Sequence, residues 1–188
     1  MWSHLSKRNS LRLRHPWLKV LVLTGFVILA AAAFGFRGLD WFVLKKSLRT
    51  RFSQISWITT QELADWLADR HRPHPVLLDV RTSEEWQVSH LPGARRVEPN
   101  AEPAVAAAGL AKDTPIVTYC SVGYRSGEVA TRLRQAGFTR VENLEGSIFA
   151  WANENRPLVS EGGPVKTVHP YSSFWGSLLR DDVRAPMK

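Results

Sequence analysis

The chain has 188 residues, of which 44% are apolar, and a formal net charge of +8. This apolar share is enough to bury a core, so it excludes an intrinsically disordered chain and fits one domain with additional segments. Because the sequence contains one cysteine, it excludes an internal disulfide and any zinc site built from two or more cysteines of this chain. The positive charge is a weaker constraint, since its position decides which partner it suits.

The N-terminal region combines basic residues with an apolar run. Ten of the 25 Lys and Arg residues lie there, five before Val20 and five from Arg37 to Arg51. This layout favours a membrane surface over nucleic acid, so no nucleic acid is expected as a partner. The sequence predicts a basic tail at 1–16 and a single transmembrane helix at 17–36, whose uncharged part would extend about 26 Å. A cleaved signal peptide is the alternative, and the equal basic counts leave the membrane orientation open.

Residues 37–55 are predicted to form a basic amphipathic linker. Within it, LDWFVLKKSLRTRF at 39–52 mixes aromatic and aliphatic residues with basic ones. The mixture is compatible with a helix lying at the membrane interface. It is equally compatible with a linker whose aromatic side chains pack on the folded domain.

Residues 56–157 alternate short apolar runs with helical patterns, which predicts an α/β domain with a mostly parallel sheet and helices on both faces. Capping-box spacings predict helix starts after Thr59 and after Thr82. The further predicted elements are strands at 76–80, 115–119 and 140–144 and helices at 101–111, 126–136 and 147–153. The C-terminal tail, 158–188, has no clear period and carries three aromatic residues in HPYSSFWGSLL. It is left open whether this tail packs on the domain, touches the membrane or stays mobile.

The stretch PIVTYCSVGYRSGEVATRLRQAG at 115–137 places a cysteine at the end of a buried strand, immediately before a loop and a helix. Ligands bind at the carboxyl ends of strands in open parallel sheets. Loop N–H groups curled around Gly123, together with the helix N-terminus, favour a thiolate or persulfide at Cys120. Arg125 adds a permanent positive charge and a forked donor suited to sulfonate oxygens. Taken singly, each residue also fits a strand end, a turn or a solvated arginine.

The segment CSVGYRS resembles the active-site loop of the rhodanese family, which usually reads C-x-x-G-x-R-S. Other segments resemble that family in the same order, namely LLDVR at 77–81, EEW at 84–86, HLPGA at 90–94 and LEGSIFAW at 144–151. The resemblance covers residues 58–157 and leaves the N-terminal segment and the tail outside. Ser147 stands where relatives often have a second glycine after Gly146.

The resemblance implies a rhodanese-like domain that moves a sulfane sulfur from a donor such as thiosulfate to a thiol or cyanide through a persulfide on Cys120, with no metal or organic cofactor. The implied substrate-binding residues are Ser121, Val122, Gly123, Tyr124, Arg125 and Ser126. Ser121 stands where many active relatives carry a basic residue, so thiosulfate is expected to be a poorer substrate here. Asp79 and Arg81 are expected to support the site, with an internal ion pair as their alternative role.

Two other functions fit part of the pattern. Phosphatases of related fold place five residues between the cysteine and the arginine of their loop, whereas four separate Cys120 from Arg125. This smaller loop suits a sulfur atom better than a phosphoryl group. The second alternative is a non-enzymatic, membrane-tethered module of the same fold that binds a partner or senses sulfur.

Overall fold

The computed structural model describes residues 40–187. The predicted basic tail at 1–16, the predicted transmembrane helix at 17–36 and the first part of the linker lie outside the described residues. Between residues 40 and 187, no helix combines the length and the apolar character needed to cross a membrane.

A five-stranded parallel sheet forms the centre of the described structure, with strand order β1-β5-β4-β2-β3. Its strands are β1 (Ser56–Ile58), β2 (Val76–Asp79), β3 (Arg95–Arg96), β4 (Ile116–Tyr119) and β5 (Val141–Leu144). The central strand, β4, is buried along its whole length. A strand that is covered on both faces of a sheet has a nearly continuous apolar sequence, and residues 115–119 show this pattern.

Helices cover both faces of the sheet, so the predicted α/β class is confirmed. They are α2 (Thr60–Ala68), α3 (Ser83–Val88), α4 (Pro103–Ala106), α5 (Tyr124–Gln135) and α6 (Ser147–Asn153). Successive strand residues point to opposite faces, and Leu77 and Leu78 accordingly belong to two separate apolar cores. Helices α2 and α6 contribute to the first core and α5 to the second.

The helix boundaries test the sequence patterns directly. Both capping boxes are confirmed: Thr59 and Glu62 exchange their bonds at the start of α2, as do Thr82 and Glu85 at the start of α3. The helix predicted at 101–111 is wrong in length, since α4 has four residues. Val105 is 70% exposed, and the buried residues between 101 and 111 are two small ones, Ala106 and Ala107. The segment therefore buries little apolar surface, and helix propensity alone does not hold a short helix in water.

A helix at 40–51, here α1, packs on the domain through one face. Leu44, Leu48 and Phe52, spaced four residues apart, contact the second core, while Phe42 and Val43 on the other face are exposed. The ring of Phe52 approaches Gly127 of α5 so closely that an added Cβ would lie 2.7 Å from it. Of the two interpretations of the linker, packing on the folded domain is the one that the structure describes.

The C-terminal segment also packs on the domain. It begins with an antiparallel hairpin of β6 (Leu158–Ser160) and β7 (Gly163–Val165), followed by α7 (Ser173–Gly176) and a 3-10 turn at Asp181–Val183. Val168 and Leu179 are fully buried in the first core. Asn153 of α6 donates through Nδ2 to the carbonyl of Leu178 at 2.8 Å. The segment is therefore held on the domain both before and after α7.

Candidate active site

Cys120 lies at the carboxyl end of β4, where the chain turns into α5. Its side chain is buried, and its Sγ accepts a hydrogen bond from the Gly123 N–H at 3.1 Å. Gly123 has a φ of +114°, a conformation that side-chain-bearing residues rarely adopt, and it directly precedes α5. The turn thus brings an N–H and the positive end of a helix dipole to the sulfur. Both favour a negative charge on Sγ or on an atom bonded to it.

Helix α5 begins earlier than the sequence pattern predicted. It runs from Tyr124 rather than from Ser126, because the glycine turn completes the loop within three residues of Cys120. Arg125 and Ser126 therefore belong to the first helical turn. N–H groups of a first turn have no partner within the helix, so they are available to an anion at the loop.

A residue of β5 and the first residue of α6 hold this loop through hydrogen bonds. Asn143 is fully buried and donates through Nδ2 to the Gly123 carbonyl at 2.9 Å. Ser147, also fully buried, accepts from the Cys120 N–H at 3.2 Å and donates to the Leu144 carbonyl. Ser147 adopts a positive φ of +51°, the region that a glycine would occupy without cost. The Ser147 hydroxyl accepts the hydrogen bond of the Cys120 N–H, and a glycine would have no side chain to do so.

A carboxylate that the sequence indicates only as a helix cap joins the loop to α3. Glu85 accepts through Oε2 from Arg125 Nη1 and through Oε1 from Arg125 Nη2, both at 2.8 Å. Ser121 Oγ donates to Glu85 Oε1 at 2.8 Å and accepts from Arg125 Nη2 at 2.9 Å. Among the described residues, Arg125 Nε–H makes no hydrogen bond. Three of the five guanidinium N–H groups are thus bound to Glu85 and Ser121, and the Nε–H is one of the two that remain for a ligand.

The ion pair changes the pKa of both partners. Burial alone would raise the pKa of Glu85, but the Arg125 hydrogen bonds and charge, aided by Thr82 and Ser121, lower it to about 2. Burial likewise opposes the charged form of Arg125, yet the bonds to Glu85 outweigh it and raise the arginine pKa. Both groups are consequently charged at neutral pH, and Glu85 offsets much of the positive charge that Arg125 brings to the loop.

A small cavity of about 130 Å³ opens in front of Cys120. Seven residues line it: Cys120, Ser121, Val122, Tyr124, Arg125, Tyr171 and Trp175. Five of them were predicted as site residues, and two come from the C-terminal segment. Of the other predicted residues, Gly123 contacts Sγ through its N–H, and Ser126 Oγ is buried with no hydrogen-bond partner among residues 40–187.

Asp79 and Arg81 lie at the end of β2, beside β4, but they do not line the cavity. They form a fully buried ion pair, with Arg81 Nη2 2.6 Å from Asp79 Oδ2. Arg81 also donates to the carbonyl of Ser89 at 2.5 Å. This arrangement is the internal ion pair considered as their alternative role. Within the described part of the chain, no cluster of three or more metal-ligating side chains is present.

Comparisons with known proteins agree with this geometry. A family model described as "Rhodanese-like domain" matches residues 59–154. A sulfurtransferase of Allochromatium vinosum is 33% identical over 109 residues, which are 58% of this chain and 99% of that protein. The probable adenylyltransferase/sulfurtransferase MoeZ of Mycobacterium tuberculosis is 36% identical over 103 residues, 54% of this chain. The match spans 26% of MoeZ, about a quarter of its length.

A solved structure gives the same picture of the fold. The solution structure of the rhodanese-like domain of an Anabaena protein superposes with a TM-score of 0.51 at 25% sequence identity. The superposition covers 55% of this chain and 78% of that domain. Tyr171 and Trp175 lie beyond the residues that the family model matches.

Replacing Glu85 with Gln tests the charge of the ion pair. A folded-state pKa of about 2, against an ordinary value of 4.5, means that the charged carboxylate stabilises the fold above pH 4.5 and that this contribution is lost as the pH falls towards 2. The shift corresponds to about 3 kcal/mol. We expect the difference in unfolding free energy between wild type and Glu85→Gln to be largest at neutral pH and to shrink across this window in urea denaturation. Gln preserves the capping bond, so a difference independent of pH would contradict the role of the charge.

Proposed function

Because this chain belongs to the rhodanese-like family, we propose that it is a sulfurtransferase in which Cys120 carries a sulfane sulfur as a persulfide. The observation that carries the proposal is the position of Cys120 Sγ. It accepts a hydrogen bond from the Gly123 N–H at 3.1 Å and lies at the base of a small cavity that Arg125 also lines. A persulfide terminal sulfur would extend into that cavity, where the first turn of α5 and Arg125 favour a negative charge.

The proposed reaction has two displacement steps. In the first, the Cys120 thiolate attacks the sulfane sulfur of a thiosulfate-type donor, a new S–S bond forms, and the donor's own S–S bond breaks so that sulfite leaves with the electron pair. In the second, an acceptor thiolate or cyanide attacks the terminal sulfur and the Cys120 thiolate leaves. The chain has one cysteine, so the acceptor thiol comes from another molecule.

Arg125 is the group that we assign to the donor's anionic oxygens. Its free Nε–H and its charge suit a sulfonate, whereas its Nη atoms are held by Glu85 and Ser121. The pairing with Glu85 reduces the positive charge available to a dianion. Together with an uncharged Ser121, this supports thiosulfate as a donor of moderate efficiency rather than the optimal one.

A membrane anchor is the second part of the proposal, and it comes from the sequence alone. The apolar run at 17–36 is flanked by basic residues on both sides, which suits a single span that tethers the domain to a bilayer. The side of the membrane on which the domain lies stays open.

Cys120→Ser is expected to abolish sulfur transfer to background while leaving the fold unchanged, because an oxygen cannot form the persulfide and the substitution barely alters volume. The measurement is the intact mass of the chain after exposure to thiosulfate, which should rise by one sulfur atom in the wild type only, followed by transfer to cyanide. A persulfide that forms but is never passed on would favour the sulfur-sensing module instead. Efficient Cys120-dependent hydrolysis of an aryl phosphate would overturn the sulfur assignment.

Arg125→Lys separates donor binding from loop maintenance. Lys keeps a positive charge beside the buried Glu85, whereas Ala would leave that carboxylate uncompensated, at a cost of several kcal/mol. Because Lys has no donor at the position of the Arg125 Nε–H, the group assigned to the donor's oxygens, we expect the KM for thiosulfate to rise roughly tenfold, with little change in transfer from a pre-formed persulfide to cyanide. The two half-reactions are measured separately. Equal damage to both would show that Arg125 maintains the loop and does not bind the donor.

The anchor predicts the behaviour of the full-length chain in membrane fractions. It should remain in the membrane pellet through a high-salt wash and be released by detergent, since burial of an apolar span is not screened by ions. A chain that begins at residue 37 is the control and should not pellet. Release of the full-length chain by salt alone would indicate electrostatic attachment to the membrane surface.

A further inference from the structure

The C-terminal segment forms one wall of the cavity, although it lies outside the residues that the family model matches. Tyr171 and Trp175 are the two side chains of this wall. Tyr124, which also lines the cavity, packs edge-on against Phe52, with ring centroids 5.8 Å apart. Cys120 is 1% exposed, and three of the seven residues that line the cavity in front of it are aromatic.

The wall is fixed in place by its neighbours. The Trp175 side chain packs partly buried against the first core, and the Trp175 backbone N–H donates to Ser172 Oγ at the start of α7. Gly176 lies so close to Pro170 that an added Cβ would be 2.7 Å from the proline Cβ. These contacts pack α7 firmly against the domain beside the cavity.

Tyr171 places the wall directly beside the charged group of the site. The Arg125 guanidinium carbon lies 4.8 Å from the centroid of the Tyr171 ring, within the range of a cation–π contact. A ligand that pairs with Arg125 therefore also meets this ring. The wall and the donor-binding arginine act on the same part of the ligand.

The size of the cavity sets a limit on that ligand. A volume of about 130 Å³ is below the ~300 Å³ at which pockets for drug-sized ligands begin, and is comparable to a cavity of ~150 Å³ that holds one benzene molecule. Thiosulfate or a short aliphatic thiosulfonate fits this volume. The ring of an aryl thiosulfonate exceeds this volume once the sulfonyl group occupies it, so the ring would have to lie against the aromatic wall.

We propose that Tyr171 and Trp175 are specificity-determining residues that restrict Cys120 to small sulfane anions by closing the cavity on one side. The identity of the reaction rests on the proposed function, but the size restriction is a property of the cavity itself. It can therefore be measured on the thiol without any sulfur transfer.

The experiment uses the lone cysteine as a reporter in the full-length protein. Iodoacetamide and its N-phenyl analogue, iodoacetanilide, carry the same reactive group and differ in size, and intact mass reads their rates at Cys120 alone. Trp175→Ala is expected to raise the iodoacetanilide-to-iodoacetamide rate ratio roughly tenfold or more, the scale on which an apolar pocket discriminates by size. Tyr171→Asn should act in the same direction, because it also removes a ring from the wall. Asn is chosen because it tolerates the positive φ of +63° at this position.

Phe174→Ala is the matched control. Phe174 belongs to the same short helix and contacts the Trp175 ring, but it is 76% exposed and does not line the cavity. We expect its rate ratio to stay at the wild-type value. Trp175→Phe keeps most of the core contact and should give an intermediate ratio, so it still tests the wall if the alanine variant misfolds. Circular dichroism checks the folding of each variant.

A second arm measures persulfide formation with thiosulfate and with benzenethiosulfonate. The wild type should prefer thiosulfate, and Trp175→Ala should shift the preference towards the aryl donor. If no donor transfers sulfur to Cys120, the proposed function is wrong. The alkylation ratios would still decide whether Tyr171 and Trp175 restrict access to the thiol. Unchanged alkylation ratios in folded Trp175→Ala, Trp175→Phe and Tyr171→Asn would overturn the inference even if sulfur transfer occurs.

Discussion

The carboxylate of Glu85 joins two parts of the chain that are distant in sequence, the start of α3 and the loop that leads into α5. It accepts from the Thr82 N–H at the start of α3, from the hydroxyl of Ser121 in the loop, and from both Nη atoms of Arg125 in α5. A buried carboxylate is stable only while its donors stay in place, because an uncompensated charge in the interior is costly. Glu85 thereby fixes the loop around Cys120 on the side of α3.

The opposite side of the loop depends on neutral hydrogen bonds. Asn143 holds the Gly123 carbonyl and Ser147 holds the Cys120 N–H, both from fully buried positions. The loop is thus held from α3 through charge, and from β5 and the start of α6 through neutral polar groups. A loop fixed in this way is already ordered before any ligand binds, so little of the ligand's binding energy is needed to order it. Discrimination between ligands then falls to the aromatic side chains at the mouth of the cavity.

Local patterns predicted the helices that begin with their own capping residues and the strand that is buried along its whole length. The capping boxes at Thr59 and Thr82, the buried strand before Cys120 and the bounds of α6 all follow from residues within a few positions of each other. The Glu85–Arg125 pair joins residues 40 positions apart, and in the sequence Glu85 was legible only as a cap. The packing of the tail depends on surface offered by α6, which no periodicity within the tail reveals.

The contact between Phe52 and Gly127 links a segment outside the matched family region to the helix that follows the Cys120 loop. An added Cβ at position 127 would lie 2.7 Å from the Phe52 ring, and real Cβ atoms do not approach a ring so closely. A larger residue at 127 therefore requires a smaller one at 52 or the loss of α1 from this face. Among proteins that keep α1, these two positions should diverge in a correlated way, so their joint variation distinguishes chains that share this N-terminal packing from those that share the rhodanese-like domain alone.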